Sequence, residues 1–122
     1  MQVYREPAPY VFQKRRLTLT VVIPCYNEVH TVNEVLQRVQ AVGLANEIIM
    51  VDDGSTDGTR DVLAQIEAEG YPGVRVIYHE RNRGKGAALV TGFAAASSEV
   101  ILIQDADFEY DPRDYPLLLK PL

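Results

Sequence analysis

EIIMVDDGSTDGTRDVLAQIEAEG, residues 47–70, changes its hydrophobic period once, and the change reveals a repeating unit. Ile48 to Val51 form a continuous apolar run, the pattern of a strand covered on both faces. Asp, Gly, Ser and Thr then fill residues 52–58, which is turn composition. Val62, Leu63 and Ile66 recur at helical spacing up to Gly70. The unit is strand, polar turn, helix, and it recurs on both sides. LTLTVVI (17–23) runs through PCYNE (24–28) into Val32, Val35, Leu36, Val39 and Val42, with Thr31 and Glu34 spaced as a capping box and Gly43 as the stop. VRVIY (74–78) runs through HERNRGKG (79–86) into Leu89, Phe93 and Ala96. EVILI (99–103) runs into QDADFEYD (104–111), where Asp111 followed by Pro112 announces a further helix. The order β-α-β-α-β-α-β predicts an α/β fold of three layers, α/β/α, with a mostly parallel sheet and right-handed crossovers.

Residues 1–16, with Pro7, Pro9 and scattered charges, carry no period and read as an extended arm; residues 17–122 form one domain. The 122 residues suffice for one core. A net charge of −5 disfavours nucleic acid as a partner, which would require a surplus of Lys and Arg. The single cysteine, Cys25, reads as a buried small hydrophobe. No stretch has the length of a membrane span, so the expected location is cytoplasmic; Lys14, Arg15 and Arg16 form a short basic run that reads first as a solvated edge, with peripheral contact with an anionic membrane as the alternative. His30 and His79 match no zinc spacing, and no nucleophile elbow is present.

In open α/β sheets ligands gather at the carboxyl ends of the strands, and every polar cluster in this chain follows a strand. Asp52 suits either turn chemistry or acceptance of hydrogen bonds from a base or ribose; Asp53, Ser55 or Asp57 suits a helix cap, which by itself accounts for Asp57. Gly84 and Gly86 expose backbone N–H groups at a helix start, beside Arg81, Arg83 and Lys85, a setting for an anion. Asp105 and Asp107 alternate with Ala106, so an extended backbone presents both carboxylates to one side. Such a pair suits Mg2+ or Mn2+, which use one or two carboxylates and complete their shell with phosphate and water. Glu109 and Tyr110 have weaker claims.

VVIPCYNE, EIIMVDDGSTDGT, RNRGKGAAL and LIQDADFEYDP, in this order and spacing, make residues 18–120 resemble the amino-terminal half of family-2 glycosyltransferases of the GT-A fold, nearest the polyprenyl- and dolichyl-phosphate sugar synthases. The resemblance implies that Pro24, Tyr26 and Glu28 line a nucleotide pocket, that Asp52 and Asp53 hold base or ribose, and that Lys85 lies beside the nucleotide sugar. It implies that Asp105 and Asp107 position Mg2+ or Mn2+ against the diphosphate. The implied donor is a nucleotide sugar, UDP-glucose or GDP-mannose, and the implied acceptor a lipid phosphate. Displacement at the anomeric carbon with inversion is the implied chemistry; the residue serving as general base, where one is used, lies past the last residue here. The chain is therefore expected to bind donor and metal and to turn over little alone, and an exposed sheet edge would let it pair with a second copy. A non-catalytic nucleotide-sugar binder is the alternative. A phosphoryl-accepting receiver module fits less well, because its acid pair would follow the first strand and here it follows the second.

Overall fold

The computed structural model describes residues 2–5, 17–107 and 111–120, the first four by backbone alone. Residues 6–16, which hold Lys14, Arg15 and Arg16, and residues 108–110, which hold Glu109 and Tyr110, lie outside the described residues. The elements are β1 (Gln2–Arg5), β2 (Leu19–Cys25), α1 (Val32–Val42), β3 (Glu47–Asp52), α2 (Thr59–Glu69), β4 (Val74–Tyr78), α3 (Lys85–Ala95) and β5 (Val100–Ile103); a 3-10 turn (Pro112–Asp114) then leads into α4 (Tyr115–Leu119). The sheet order is β1-β5-β2-β3-β4. Strands β2 to β5 run parallel, as their apolar runs predict, while Gln2–Arg5 of the expected arm pairs antiparallel with β5 and covers that edge.

One face of the sheet, through Val21, Ile23 and Met50, packs in the same core as Val35 and Leu36 of α1 and Leu63 of α2. The other face, through Ile49 and Val51, packs against Ala88 of α3. β2 and β3 are therefore buried on both sides, which explains why their sequences show no polar alternation. Helix α3 lies close to the sheet because it carries glycine at the contact: a Cβ on Gly92 would stand 2.4 Å from Cγ1 of Val22, a fully buried β-branched residue with little rotamer freedom. Gly92→Ala is expected to cost about 1–3 kcal/mol by overpacking. A urea midpoint equal to wild type would contradict that close approach.

The chain steps from β2 outward to β3 and β4, then returns past β2 to β5, so the winding reverses between β2 and β5. Such a reversal opens a crevice at the strand ends. Here the opening is visible in the ladder: β2 pairs with β5 only over Leu19–Val22 but with β3 over Thr20–Cys25. Gln104 N–H bonds to the Val22 carbonyl on one side of β2 and Asp53 N–H to the Cys25 carbonyl on the other. By alternation the missing donor of Pro24 faces the β5 side, past the last paired residue, where no ladder bond is lost.

Two helix starts differ from the sequence expectation. Thr31 stands at the start of α1 but makes no side-chain cap bond; its hydroxyl donates to the Ala106 carbonyl at 2.5 Å, and Glu34 pairs with Arg38 instead of closing a capping box. The long-range bond ties α1 to the acidic segment after β5. Gly58, not Asp57, is the cap of α2; Asp57 still accepts the Thr59 N–H at 3.0 Å. Gly43 and Gly70 end α1 and α2 in left-handed conformation, and Asp111 caps the 3-10 turn by accepting from Arg113 N–H, all as the sequence predicts.

Candidate functional site

The β2–β5 crevice is a cleft of about 300 Å³ walled by all four parallel strand ends. Pro24 and Cys25 line it at the end of β2, Tyr26 and Glu28 just after that strand, Asp53 after β3, Lys85 at the start of α3, and Asp105 and Asp107 after β5. Asn82, Gly84, Ala88 and Ala106 complete the wall.

The turns after β2 and β3 are fastened to each other by side chains. Ser55 Oγ accepts the Asn27 N–H at 2.9 Å, Thr59 Oγ1 the Glu28 N–H at 3.0 Å and Asp57 Oδ2 the Val29 N–H at 3.3 Å. In return Asn27 Oδ1 accepts the Thr56 N–H at 2.8 Å. Each bond satisfies a backbone donor that no ladder or helix serves. The polar turn composition is thus used to join two loops, and Glu28 is set by that junction.

The two neighbouring acids Asp52 and Asp53 part company. Asp52 is fully buried beneath the cleft and is not in its wall. Its Oδ2 accepts from the N–H groups of Gly54 and Ser55 and lies 3.4 Å from the Arg60 guanidinium, which also donates to the His79 carbonyl and stacks on Tyr78. Asp52 Oδ1 has no hydrogen-bond partner among the described residues. Asp53 is in the wall and serves as a clamp: Oδ1 meets His79 Nδ1 at 2.9 Å and the Arg83 N–H at 2.9 Å, and Oδ2 accepts the Gly84 N–H at 2.9 Å. Burial pushes the Asp53 carboxyl up, but the bonds from His79, Arg83 and Gly84 outweigh it and hold the group below the ordinary range. His79 is itself buried, with Nε2 2.8 Å from Thr91 Oγ1 of α3. No local pattern singled out His79. The only available signal was register: Asp52 pairs with Tyr78, so residues 53 and 79 leave adjacent strands side by side.

The clamp fixes the turn that starts α3, and Lys85, its first residue, reaches across the cleft. Its Nζ stands 2.5 Å from Asp105 Oδ1. Asp105 is held from behind, since Tyr115 donates its hydroxyl to Gln104 Oε1 at 2.8 Å and Gln104 Nε2 donates to the Asp105 carbonyl at 3.1 Å. Glu28 faces the same space. Burial raises its carboxyl above the ordinary range and the charge of Asp107 adds to that, with smaller contributions from Asp57 and Asp105, against a lowering bond from Thr31. Cys25, also in the wall, is an inert thiol: burial first, then the charges of Asp52 and Glu28, push it far up.

Among the described residues no group of three or more His, Cys, Asp or Glu is placed to hold a metal. Asp105 and Asp107 offer carboxylate oxygens, the donor type that suits a hard divalent ion completing its shell with ligand phosphate and water. Among the described residues no helix is long and apolar enough to cross a membrane.

A parallel sheet with its ligand crevice at the winding reversal is the plan shared by open α/β folds, and the solved structures that superpose on this one are GT-A glycosyltransferases. The chain belongs to glycosyl transferase family 2, whose family model matches residues 20–122. It is 33% identical over 105 residues to the undecaprenyl-phosphate 4-deoxy-4-formamido-L-arabinose transferase of Salmonella paratyphi B, covering 83% of this chain and 32% of that protein. A mannosyltransferase from Pyrobaculum calidifontis, solved with GDP-Man and Mn2+, superposes with a TM-score of 0.72 at 30% identity, over 83% of this chain and 30% of that one. Glucosyl-3-phosphoglycerate synthase from Mycobacterium tuberculosis, solved with Mn2+, UDP and glucosyl-3-phosphoglycerate, gives 0.69 at 30% identity, over 86% and 39%. The chain spans about a third of the length of the curated relatives it matches. The α/β fold expected from the sequence, a mostly parallel sheet of the GT-A kind, is the fold observed.

Proposed function

We propose that the cleft is the donor half-site of a sugar transferase, taking a nucleoside diphosphate sugar together with Mg2+ or Mn2+. The observation that supports this most is the meeting, at the β2–β5 crevice, of an aspartate pair two residues apart with a lysine on a helix start. In this reading Asp105 and Asp107 hold the metal, which supplies Lewis-acid neutralisation of the diphosphate when bound. Pro24, Tyr26 and Glu28 receive the nucleoside along β2. Asp53 offers the acceptor capacity that remains on Oδ2 to a ribose or base donor. Asp52 acts from below by fixing the Gly54–Ser55 turn, and its Oδ1, without a partner among the described residues, leaves one further acceptor for a donor reaching past that turn. The 2.9 Å bonds from Asp53 to the Arg83 and Gly84 N–H groups keep Lys85 in register with the phosphates.

The acceptor is a polyprenyl phosphate, whose oxygen bonds to the anomeric carbon as the bond to the nucleoside diphosphate breaks on the opposite side, with inversion. Two considerations support this acceptor: the curated relative just described is an undecaprenyl-phosphate transferase, and a phosphate monoester is ionised near neutral pH and attacks without a protein base. UDP or GDP is the nucleotide of the donor. GDP-Man and UDP are the ligands of the two solved neighbours.

Calorimetric titration of the 122-residue chain with UDP, GDP and their sugars, with and without Mn2+, tests the proposal. Binding of one nucleotide series is expected to need the metal and to weaken by about 100-fold or more in the Asp105→Ala/Asp107→Ala double variant. Absence of binding to the folded chain, or equal binding by the double variant, would overturn it.

A further inference from the structure

We propose that the Lys85 ammonium occupies the cation position on Asp105 in the ligand-free cleft and is exchanged for the divalent ion when that ion binds. The inference rests on the reading of Asp105 as a metal ligand and adds a competitor for it.

The two partners are unequal in freedom. The Asp105 side chain is 13% exposed, and its backbone is pinned through Gln104 and Tyr115. The Lys85 side chain is 59% exposed and rotates about four bonds. The carboxylate is therefore a fixed point and the ammonium a movable charge. Asp105, Asp107, Glu28 and Asp53 all face the cleft, and Lys85 is the one Lys or Arg in its wall among the described residues. Clustered acids favour a positive charge whether or not a metal is present, and at 2.5 Å the ammonium already holds one of the two Asp105 carboxylate oxygens open to a metal. A divalent ion and an ammonium cannot share that oxygen without strong like-charge repulsion.

Exchange has a consequence for the donor. Once released, the ammonium stands at the start of α3 beside the Gly84 turn, where backbone N–H groups and the helix dipole favour anions. From there it reaches the diphosphate. Metal first pays for breaking the Lys85–Asp105 pair, and the donor recovers that cost by giving the lysine a new partner, so the two bind with positive coupling that is reciprocal by linkage.

The test is titration of Mn2+ into the full chain without nucleotide, with free Mn2+ read by electron paramagnetic resonance. Lys85→Gln is expected to bind Mn2+ about tenfold more tightly than wild type and, at saturating Mn2+, to bind the nucleoside diphosphate about tenfold less tightly. Arg83→Gln removes a neighbouring positive charge whose exposed side chain is not in the cleft wall, and is expected to change Mn2+ affinity by less than about twofold. Equal or weaker Mn2+ binding by Lys85→Gln overturns the exchange, as does equal tightening by Arg83→Gln, which would reduce the effect to general charge. Asp105→Asn separates the two levels. If it loses Mn2+ while Lys85→Gln matches wild type, the metal site stands and the exchange fails; if it binds Mn2+ like wild type, the metal site fails and the exchange with it.

Discussion

Gly54→Ala is expected to destabilise the chain by about 3–5 kcal/mol, combining left-handed strain with a clash against backbone. Gly54 has φ of +76°, and a Cβ there would stand 2.4 Å from the Asn82 nitrogen and 2.5 Å from the Arg81 carbonyl carbon. Both are main-chain atoms of the turn between β4 and α3, so no side-chain rotation relieves the contact. Relief requires moving the turn itself, and that turn carries the Arg83 and Gly84 N–H groups bonded to Asp53. Gly43→Ala provides the comparison. Gly43 has φ of +72° but nothing within 4 Å of an added Cβ, so only the conformational cost applies, about 1 kcal/mol. Urea unfolding of the two variants measures the difference directly. If Gly54→Ala loses no more than Gly43→Ala, the close approach of the two turns is not a feature of the folded chain. Where Gly54→Ala remains folded, its donor affinity is expected to fall further than its stability alone explains, because the displaced turn sets Lys85.

The alternation of strand and helix was legible because it depends on local residue types. Val and Ile runs located β2 to β5 within one or two residues at each end, and Gly43, Gly70 and Asp111 marked helix ends through their own backbone preferences. The rim was legible for the same reason: once the strands are parallel, residues following each strand must share an edge, and Pro24, Tyr26, Glu28, Asp53, Lys85, Asp105 and Asp107 do so. What stayed hidden depends on which distant groups meet. The Thr31 hydroxyl bonds a carbonyl 75 residues away, so no local pattern could show that the capping box yields to Ala106. Asp52 and Asp53 are adjacent in sequence, but the strand pleat sends one beneath the turn and the other into the wall. Gln2–Arg5 joins the sheet through main-chain pairing with β5, which needs no hydrophobic period of its own.

Asp53→Ala is expected to cost about 3–5 kcal/mol, since it strands a buried partner without its counterpart. The variant leaves the His79 imidazole, 6% exposed, and the N–H groups of Arg83 and Gly84 without the acceptor they share. Asp53→Asn keeps the shape and one acceptor oxygen and is expected to cost less, about 1–3 kcal/mol. The pair of variants also isolates a pH dependence. The folded Asp53 carboxyl lies below its ordinary value, so the folded chain binds fewer protons there than the unfolded chain does. Its contribution is complete above the unfolded pKa, near 4, and is lost as pH falls through the lower folded value. Wild-type stability is thus expected to hold between about pH 7 and 5 as far as this group is concerned, and to fall below about pH 4. Asp57 and Asp111 are also held low, but both are unchanged in the variant, so the difference between the two acid limbs belongs to Asp53 together with the His79 it pairs with. Urea unfolding of wild type and Asp53→Asn from pH 3 to 7 should therefore give curves that converge toward acid, within about 1 kcal/mol at the lowest pH at which both fold. Curves that stay parallel would mean that the carboxylate charge contributes nothing and that Asp53 holds the turn by shape alone. Convergence would tie the stability of the cleft to the one acid that holds β3, His79 and the start of α3 together.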